Sequence, residues 1–211
     1  MTRAASRGRG AVALRTERLR LTPLVEADLD AVHAIYGDPG TWLHLPDGRH
    51  RDLATTAAML ERSMVSWRTA GVGSWVVRRS EAEARRIGTS PDEVIGTAAA
   101  TALDSGLLNL GYRFVPSAWG SGYASEAAAA VLDAAGSSAP DRAVTARVLI
   151  GNPASIRVLD RLGLVLRWSG GDAELDPTAS GDAQGMQALA RRIYADRPLD
   201  DEQLRALIAL G

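Results

Sequence analysis

The chain contains no cysteine and no lysine. The first absence removes disulfides, a cysteine nucleophile, a thiolate zinc site and an iron–sulfur cluster. The second makes all 24 basic residues arginine. Schiff-base chemistry on a protein lysine and the phosphate lysine of a P-loop are therefore excluded. Net charge is also nearly absent, at −1 from 24 basic and 25 acidic residues. That balance argues against general binding to nucleic acid or to an anionic membrane. No apolar run reaches the roughly 18 residues that a membrane span requires.

What is present reads as a globular chain. Its 211 residues are 46% hydrophobic and 23% charged, enough for one domain with its own core. Arg3, Arg7 and Arg9 lie among Ala, Ser and Gly with no apolar stretch behind them. A secretory signal is not expected there. Residues 1–13 read as a flexible tail, with a nucleic-acid arm or targeting peptide as the alternatives. With neither signal nor cysteine, the cytoplasm is the expected compartment.

Leu19 and Leu21 alternate with Arg18, Arg20 and Thr22, a strand pattern. Residues 26–36 and 52–70 carry apolar positions at helical spacing. Asp38-Pro39-Gly40 stops the first and Gly71 and Gly73 stop the second. Residues 74–79 predict a strand with Trp75 and Val77 on one face and Val76 on the other. Trp67 and Trp75 are assigned to the core. Residues 80–93 are charged and without a strong period, and are expected to be a mobile excursion. Strands are expected over 94–103 and 107–115, joined at Asp104-Ser105-Gly106 and ended by Pro116. An Ala-rich helix follows over 122–135, then a strand (144–150), a helix (155–162), a strand (164–168), a loop (170–185) and a strand (188–195). A capped helix occupies 200–210. Ile193, Leu204, Leu207 and Ile208 suit packing on the chain's own sheet, giving a monomer, or a homodimer contact. There is no internal repeat. This order points to an α/β or α+β fold on one mixed, mostly antiparallel sheet of about seven strands, with helices on both faces.

The stretch from Leu110 to Ala127 is the most informative. A strand ends at Pro116, Gly120 and Gly122 follow, and a helix starts at once. The first N–H groups of a helix have no internal partner, and its dipole adds partial positive charge there. Glycines let an anion approach that backbone, so a chain without lysine can still hold a pyrophosphate. A plain strand-to-helix turn would need the same glycines. A dinucleotide fingerprint would want a third glycine where Ser125 stands.

Three segments in order carry a resemblance. Gly111, Tyr112 and Pro116, then Trp119, Gly120, Gly122, Tyr123, Ala124, Glu126 and Ala127, fit G-Y-x-x-x-P followed by W-G-x-G-Y-A-x-E-A. The run Thr16-Glu17-Arg18-Leu19-Arg20-Leu21 fits an opening strand. Asn152, Ser155 and Gly163 fit N-x-x-S-x-x-x-x-x-x-x-G-F, with Leu164 in place of Phe. Residues 14–168 thereby resemble the GNAT superfamily of acetyl-CoA-dependent N-acyltransferases. Within it they resemble the ribosomal-protein alanine N-acetyltransferase branch, the RimJ/RimL type.

The resemblance implies a single acetyltransferase-like domain over 14–211, with an extra C-terminal strand and helix over about 186–211 and a splayed central strand pair. It implies acetyl-CoA as donor and no metal. Pantetheine would pair with backbone near Phe114 and Val115. The pyrophosphate would sit on N–H groups of Trp119, Gly120, Ser121, Gly122, Tyr123 and Ala124. Asn152 would bond pantetheine or shape the turn. Ser155 would donate to the departing sulfur or cap its helix, since Leu159 stands where many members have Tyr.

The implied reaction is direct attack by a neutral amine, of a protein N-terminus or a small molecule, on the thioester. The branch often has a Glu base where this chain has Asn109. Asn109 positions water, or Asp104, His44 or Glu126 serves, or the amine arrives neutral. Trp42 and His44 lie in the loop over 37–51 that would help form the acceptor pocket. Asp38 and Asp47 there would favour cationic amines. The alternative is a non-catalytic acyl-CoA-binding regulatory module.

Overall fold

Period-two stretches become strands, and stretches of helical period become helices on both faces of the sheet. A computed structural model describes residues 11–45, 48–171 and 190–210. A short strand β1 (Leu14–Arg15) precedes β2 (Leu19–Pro23). A 3-10 turn over Glu26–Asp28 leads into α1 (Leu29–Gly37), and α2 (Leu53–Ala70) follows. Then come β3 (Ser74–Arg79), α3 (Glu81–Ile87), β4 (Val94–Ala102) and β5 (Leu108–Phe114). Next are α4 (Tyr123–Ser138), β6 (Val144–Leu149), α5 (Pro153–Arg161) and β7 (Val165–Gly170). The chain closes with β8 (Arg191–Ala195) and α6 (Asp201–Ile208).

The strands form one sheet in the order β1-β2-β3-β4-β5-β6-β8-β7. Every neighbouring pair is antiparallel except β5 and β6. The mixed, mostly antiparallel reading therefore holds, with β1 as the strand beyond the expected seven. Two residues are too few to show a period. β8 is not appended at an edge; it lies between β6 and β7.

Trp75 and Val77 join Leu19, Leu21 and the α4 residues Ala127, Ala128, Val131 and Ala135 in the main core. Val76, on the opposite face, packs with Val32 of α1 and Leu60 of α2. The small side chains of α4 let its backbone lie close to the sheet. Trp67 and Trp75 meet edge to face, 4.6 Å between ring centres. Leu207 of α6 is buried with Leu107, Ala143 and Ile193, so this helix covers the chain's own sheet.

The mobile excursion expected over 80–93 is corrected: it contains α3. Ser80 Oγ accepts the Glu83 amide at 3.2 Å and Gly88 closes the helix at φ 73°. Glu81 and Glu83 sit in the first turn and Arg85 and Arg86 in the last, as the helix dipole favours. The helix is too short for its period to show against so much charge. Residues 1–10, which carry most of the expected tail, lie outside the described residues. So does most of the loop expected over 170–185. Val12 is tied down, its carbonyl accepting from Trp75 Nε1 at 2.7 Å. Among the described residues, no helix is long and apolar enough to cross a membrane.

Candidate active site

β5 parts from one neighbour early. It pairs with β4 along its length, from Leu108 opposite Ala102 to Phe114 opposite Gly96. With β6 it pairs only at Leu108 and Asn109. Beyond Asn109 the strands diverge, and that edge of β5 has no ladder partner. Gly96 keeps the other side shut. A Cβ there would lie 2.5 Å from Phe114 Cδ1 and 2.6 Å from the Arg113 carbonyl oxygen.

Backbone groups alternate in direction along a strand. The Leu108 amide faces β6 and donates to Ala143 O at 2.9 Å. The amides of Tyr112 and Phe114 therefore point to the same edge, into the gap. The Phe114 carbonyl accepts from Trp119 Nε1 at 2.8 Å. Val115 is in the opposite phase, donating to Ile95 O at 3.0 Å. Of the two residues expected to meet pantetheine, Phe114 offers an amide to the gap and Val115 does not.

The turn after β5 ends in an uncapped helix. Gly120 and Gly122 have φ of 74° and 81°, the left-handed region that suits glycine. Gly122 is the N-cap of α4, and no side chain bonds the first-turn amides. The first intrahelical bond is Glu126 N to Gly122 O at 3.1 Å, so the amides of Tyr123, Ala124 and Ser125 have no intrahelical acceptor. The Trp119 amide is already used by Pro116 O at 3.1 Å, which removes it from the expected donors. The Ser121 carbonyl accepts from Arg18 Nη1 at 2.9 Å. The Tyr123 ring is buried, with its hydroxyl donating to Glu83 Oε1, so this residue turns only backbone toward the turn.

Across the gap, Asn152 Oδ1 accepts the Ser155 amide at 3.1 Å and caps α5. Ser155 Oγ is left free of capping and lies 2.7 Å from the Tyr112 hydroxyl. The capped amide and the uncommitted hydroxyl are thus different atoms of Ser155. Burial pushes the Tyr112 phenol up to about 12, against a smaller opposing effect of the Ser155 bond. It stays protonated at neutral pH. Leu159 is in the core.

These groups line a cavity of about 550 Å³. Tyr112, Asn152 and Ser155 face it from the β5 and α5 sides, with residues of the glycine turn, and Arg157 and Arg161 stand on α5. Gly40, Thr41, Leu43, His44 and Arg113 line the side beneath the α1–α2 connection. Among the described residues, no carboxylate lines the cavity.

The remaining sequence candidates fall in different places. His44 lines the cavity; burial, then the positive charge of Arg113, holds its pKa below the ordinary value. Trp42 does not line it. Its ring is buried, Nε1 donates to Tyr36 O at 2.6 Å, and Arg113 stacks on its face. Asn109 sits at the last β5–β6 pair, and Asp104 is exposed in the hairpin turn; neither lines the cavity. Glu126 is a tie between α4 and the start of β2. Its Oε1 accepts from Thr16 Oγ1 and the Arg18 amide, and its Oε2 accepts from Arg18 Nε at 2.7 Å. Burial pushes this carboxyl up, but those bonds together outweigh it and leave the pKa lowered. Asp38 Oδ1 accepts the Gly40 amide at 2.8 Å, and Asp47 lies outside the described residues. Among the described residues, no three His, Asp or Glu side chains gather as metal ligands.

Two side chains were missed. Tyr112 is part of the G-Y motif, but only the structure sets its hydroxyl against Ser155 Oγ. Arg113 is the one charged residue in β5, a signal in itself.

Residues 18–165 match the model of the acetyltransferase (GNAT) domain family. No curated protein matches the sequence. Among solved structures, an acetyltransferase from Agrobacterium tumefaciens strain C58 is similar at 25% identity and TM-score 0.64, covering 89% of this chain and 95% of that one. The ribosomal alpha-N-protein acetyltransferase RimL, solved with coenzyme A, is 16% identical at TM-score 0.63, covering 88% and 96%. The yncA protein of Salmonella typhimurium, solved with acetyl-CoA, is 17% identical at TM-score 0.61, covering 87% and 95%.

Proposed function

The chain belongs to the GNAT acetyltransferase domain family, and from that premise we propose that it moves an acetyl group from acetyl-CoA to a primary amine by direct attack. The observation that carries this reading is the half-open strand β5. Its free edge faces an uncapped glycine turn on one side and a Tyr112–Ser155 hydroxyl pair on the other.

The residues present fit the donor. The Tyr112 and Phe114 amides, which point into the gap, suit the carbonyl groups of a pantetheine arm. The free amides of the α4 turn suit a pyrophosphate, since they combine unpaired N–H groups with the positive end of the dipole. Gly120 leaves that backbone bare, with nothing within 4 Å of the Cβ position. The exposed Arg157 and Arg161 would add countercharge for the remaining phosphate. Bound there, acetyl-CoA supplies a thioester whose carbonyl is open to a neutral amine and whose sulfur leaves as a thiolate.

The chain's own side chains then have distinct tasks. A β5 amide at the gap would bear the oxyanion charge. Ser155 Oγ would donate to the departing sulfur, and Tyr112, protonated and hydrogen-bonded to it, would restore that proton. With no carboxylate among the described lining residues, His44 is the side chain there that can accept a proton, and its lowered pKa keeps it neutral. Likeness to RimL supports a protein N-terminus as one acceptor class; a small amine is the other.

That no described lining residue is a carboxylate also favours a second reading, a catalytically silent acyl-CoA-binding module. The two separate on one assay. The protein is mixed with acetyl-CoA and a panel of peptides and small amines, and free thiol is measured. Amine-dependent thiol release supports transfer; coenzyme A binding without release on any amine supports the silent module.

A further inference from the structure

Among the described residues, Arg113 carries a charge that no acidic group neutralises. It sits on β5 between Tyr112 and Phe114 and faces the α1–α2 connection. Its Nη1 donates to the Thr41 carbonyl oxygen. Among the described residues, Nε and Nη2 have no acceptor and no carboxylate pairs with the guanidinium. The plane is held rather than free: Cζ lies 3.2 Å from the centre of the Trp42 ring and 5.4 Å from that of Tyr36. Burial draws its pKa down to about 10, and its field in turn lowers His44 and His50, behind their own burial.

A guanidinium taken partly out of water without a counter-ion is costly, and proteins rarely keep one without a use. The two unused nitrogens, Nε and Nη2, form a rigid fork of N–H donors suited to a carboxylate or phosphate. Arg113 lines the cavity that also holds His44. The arrangement reverses the expectation raised by Asp38, while Asp47 lies outside the described residues. Asp38 is spent on the turn at Gly40, and among the described residues no acidic group faces the cavity.

We propose that Arg113, clamped on Trp42, is the acceptor-recognition residue, and that the acceptor is an amine carrying its own carboxylate or phosphate rather than a polycation. This rests on the acetyl-transfer reading and names its substrate class. The anion would complete the unpaired fork, while the amine, on the same molecule, would face the β5 gap. A spermidine-like acceptor would instead bring positive charge against Arg113.

The test measures coenzyme A thiol release by the full chain. An α-amino acid, an aminoalkyl phosphate and a peptide with an acidic second residue are each compared with an uncharged counterpart, and with spermidine. The expected result is that an anionic acceptor exceeds its counterpart by about tenfold or more in kcat/KM, mainly through KM. The three anionic arms separate carboxylate from phosphate and small acceptor from peptide. Arg113→Gln should bring that ratio close to one while calorimetric affinity for coenzyme A is kept, and Arg113→Lys should recover part of it. Preference for neutral amines or spermidine, or an unchanged ratio in Arg113→Gln, overturns the proposal. If no amine turns over, the transfer reading is what has failed. The anion site is then read by calorimetry on coenzyme A-loaded protein with the N-acetylated forms of the same acids. Binding that Arg113→Gln abolishes supports the proposal, and no binding by the unaltered protein overturns it.

Discussion

The two sides of the cavity are made of different material. The glycine-turn side is mostly backbone: free amides of β5 and of the first turn of α4, exposed because Gly120 and Gly122 carry no side chain. The side under the α1–α2 connection is made of side chains, with Arg113 stacked on Trp42 and His44 beside it. Backbone donors fix one chemistry, because every residue supplies the same N–H. Side chains can be exchanged without disturbing the sheet. A constant donor and a variable acceptor are what this division suits.

The largest expected effect is on the hydroxyl pair that lies between the two sides. Ser155→Ala and Tyr112→Phe should each lower kcat about a hundredfold with little change in KM for acetyl-CoA. The double variant should lose little more than either single one, because the two hydroxyls act as a unit. Additive losses would separate them. The next effect tests the backbone side. Gly96→Ala forces a Cβ into Phe114 and the Arg113 carbonyl. It should cost about 1–3 kcal/mol in a denaturant titration. Gly122→Ala sets a side chain at φ 81°. It should cost about 1–2 kcal/mol and weaken coenzyme A binding, while leaving the acceptor KM nearly unchanged.

Acid should produce the smallest and most one-sided change. Hydrogen bonds from Arg86 and Tyr123 lower the Glu83 carboxyl from its ordinary 4.5 to about 2. A group with a depressed folded pKa contributes stability that is present above its unfolded value and lost as pH falls toward the folded one. The contribution of Glu83 is therefore complete above about 4.5 and lost between there and about 2. Glu83 holds Tyr123 at the start of α4, so acid should loosen the backbone side first. Glu83→Gln should flatten that part of a stability–pH curve.

This division also decides what could be read in advance. The backbone side is local in sequence. Pro116, two glycines and a helix start lie within a few residues, and their consequence for exposed amides follows from helix geometry alone. The side-chain side is assembled from a distance. Tyr112 and Ser155 are 43 residues apart, and Arg113 and Thr41 are 72 apart. No spacing rule joins them, so Trp42 was assigned to the pocket surface when it is the platform behind it. Asn109 was read from a motif position, but the early divergence of β5 and β6 sets it at the closed end of the gap. Elements were legible where their period was long, as in α2 and β4. They were lost where they were short, as in β1 and α3.

The place of β8 bears on how the chain is made. β6 and β7 are both synthesised before the strand that lies between them, and each pairs with β8. A nascent chain that has emerged only through Gly170 therefore holds two strand edges with nothing to join them, and β6 touches the rest of the sheet through its brief pairing with β5. The wall of the cavity that carries α5 gains its full support only when residues 191–195 arrive. That wall is complete only once β8 has been made, and removing those residues should undo it rather than shorten it.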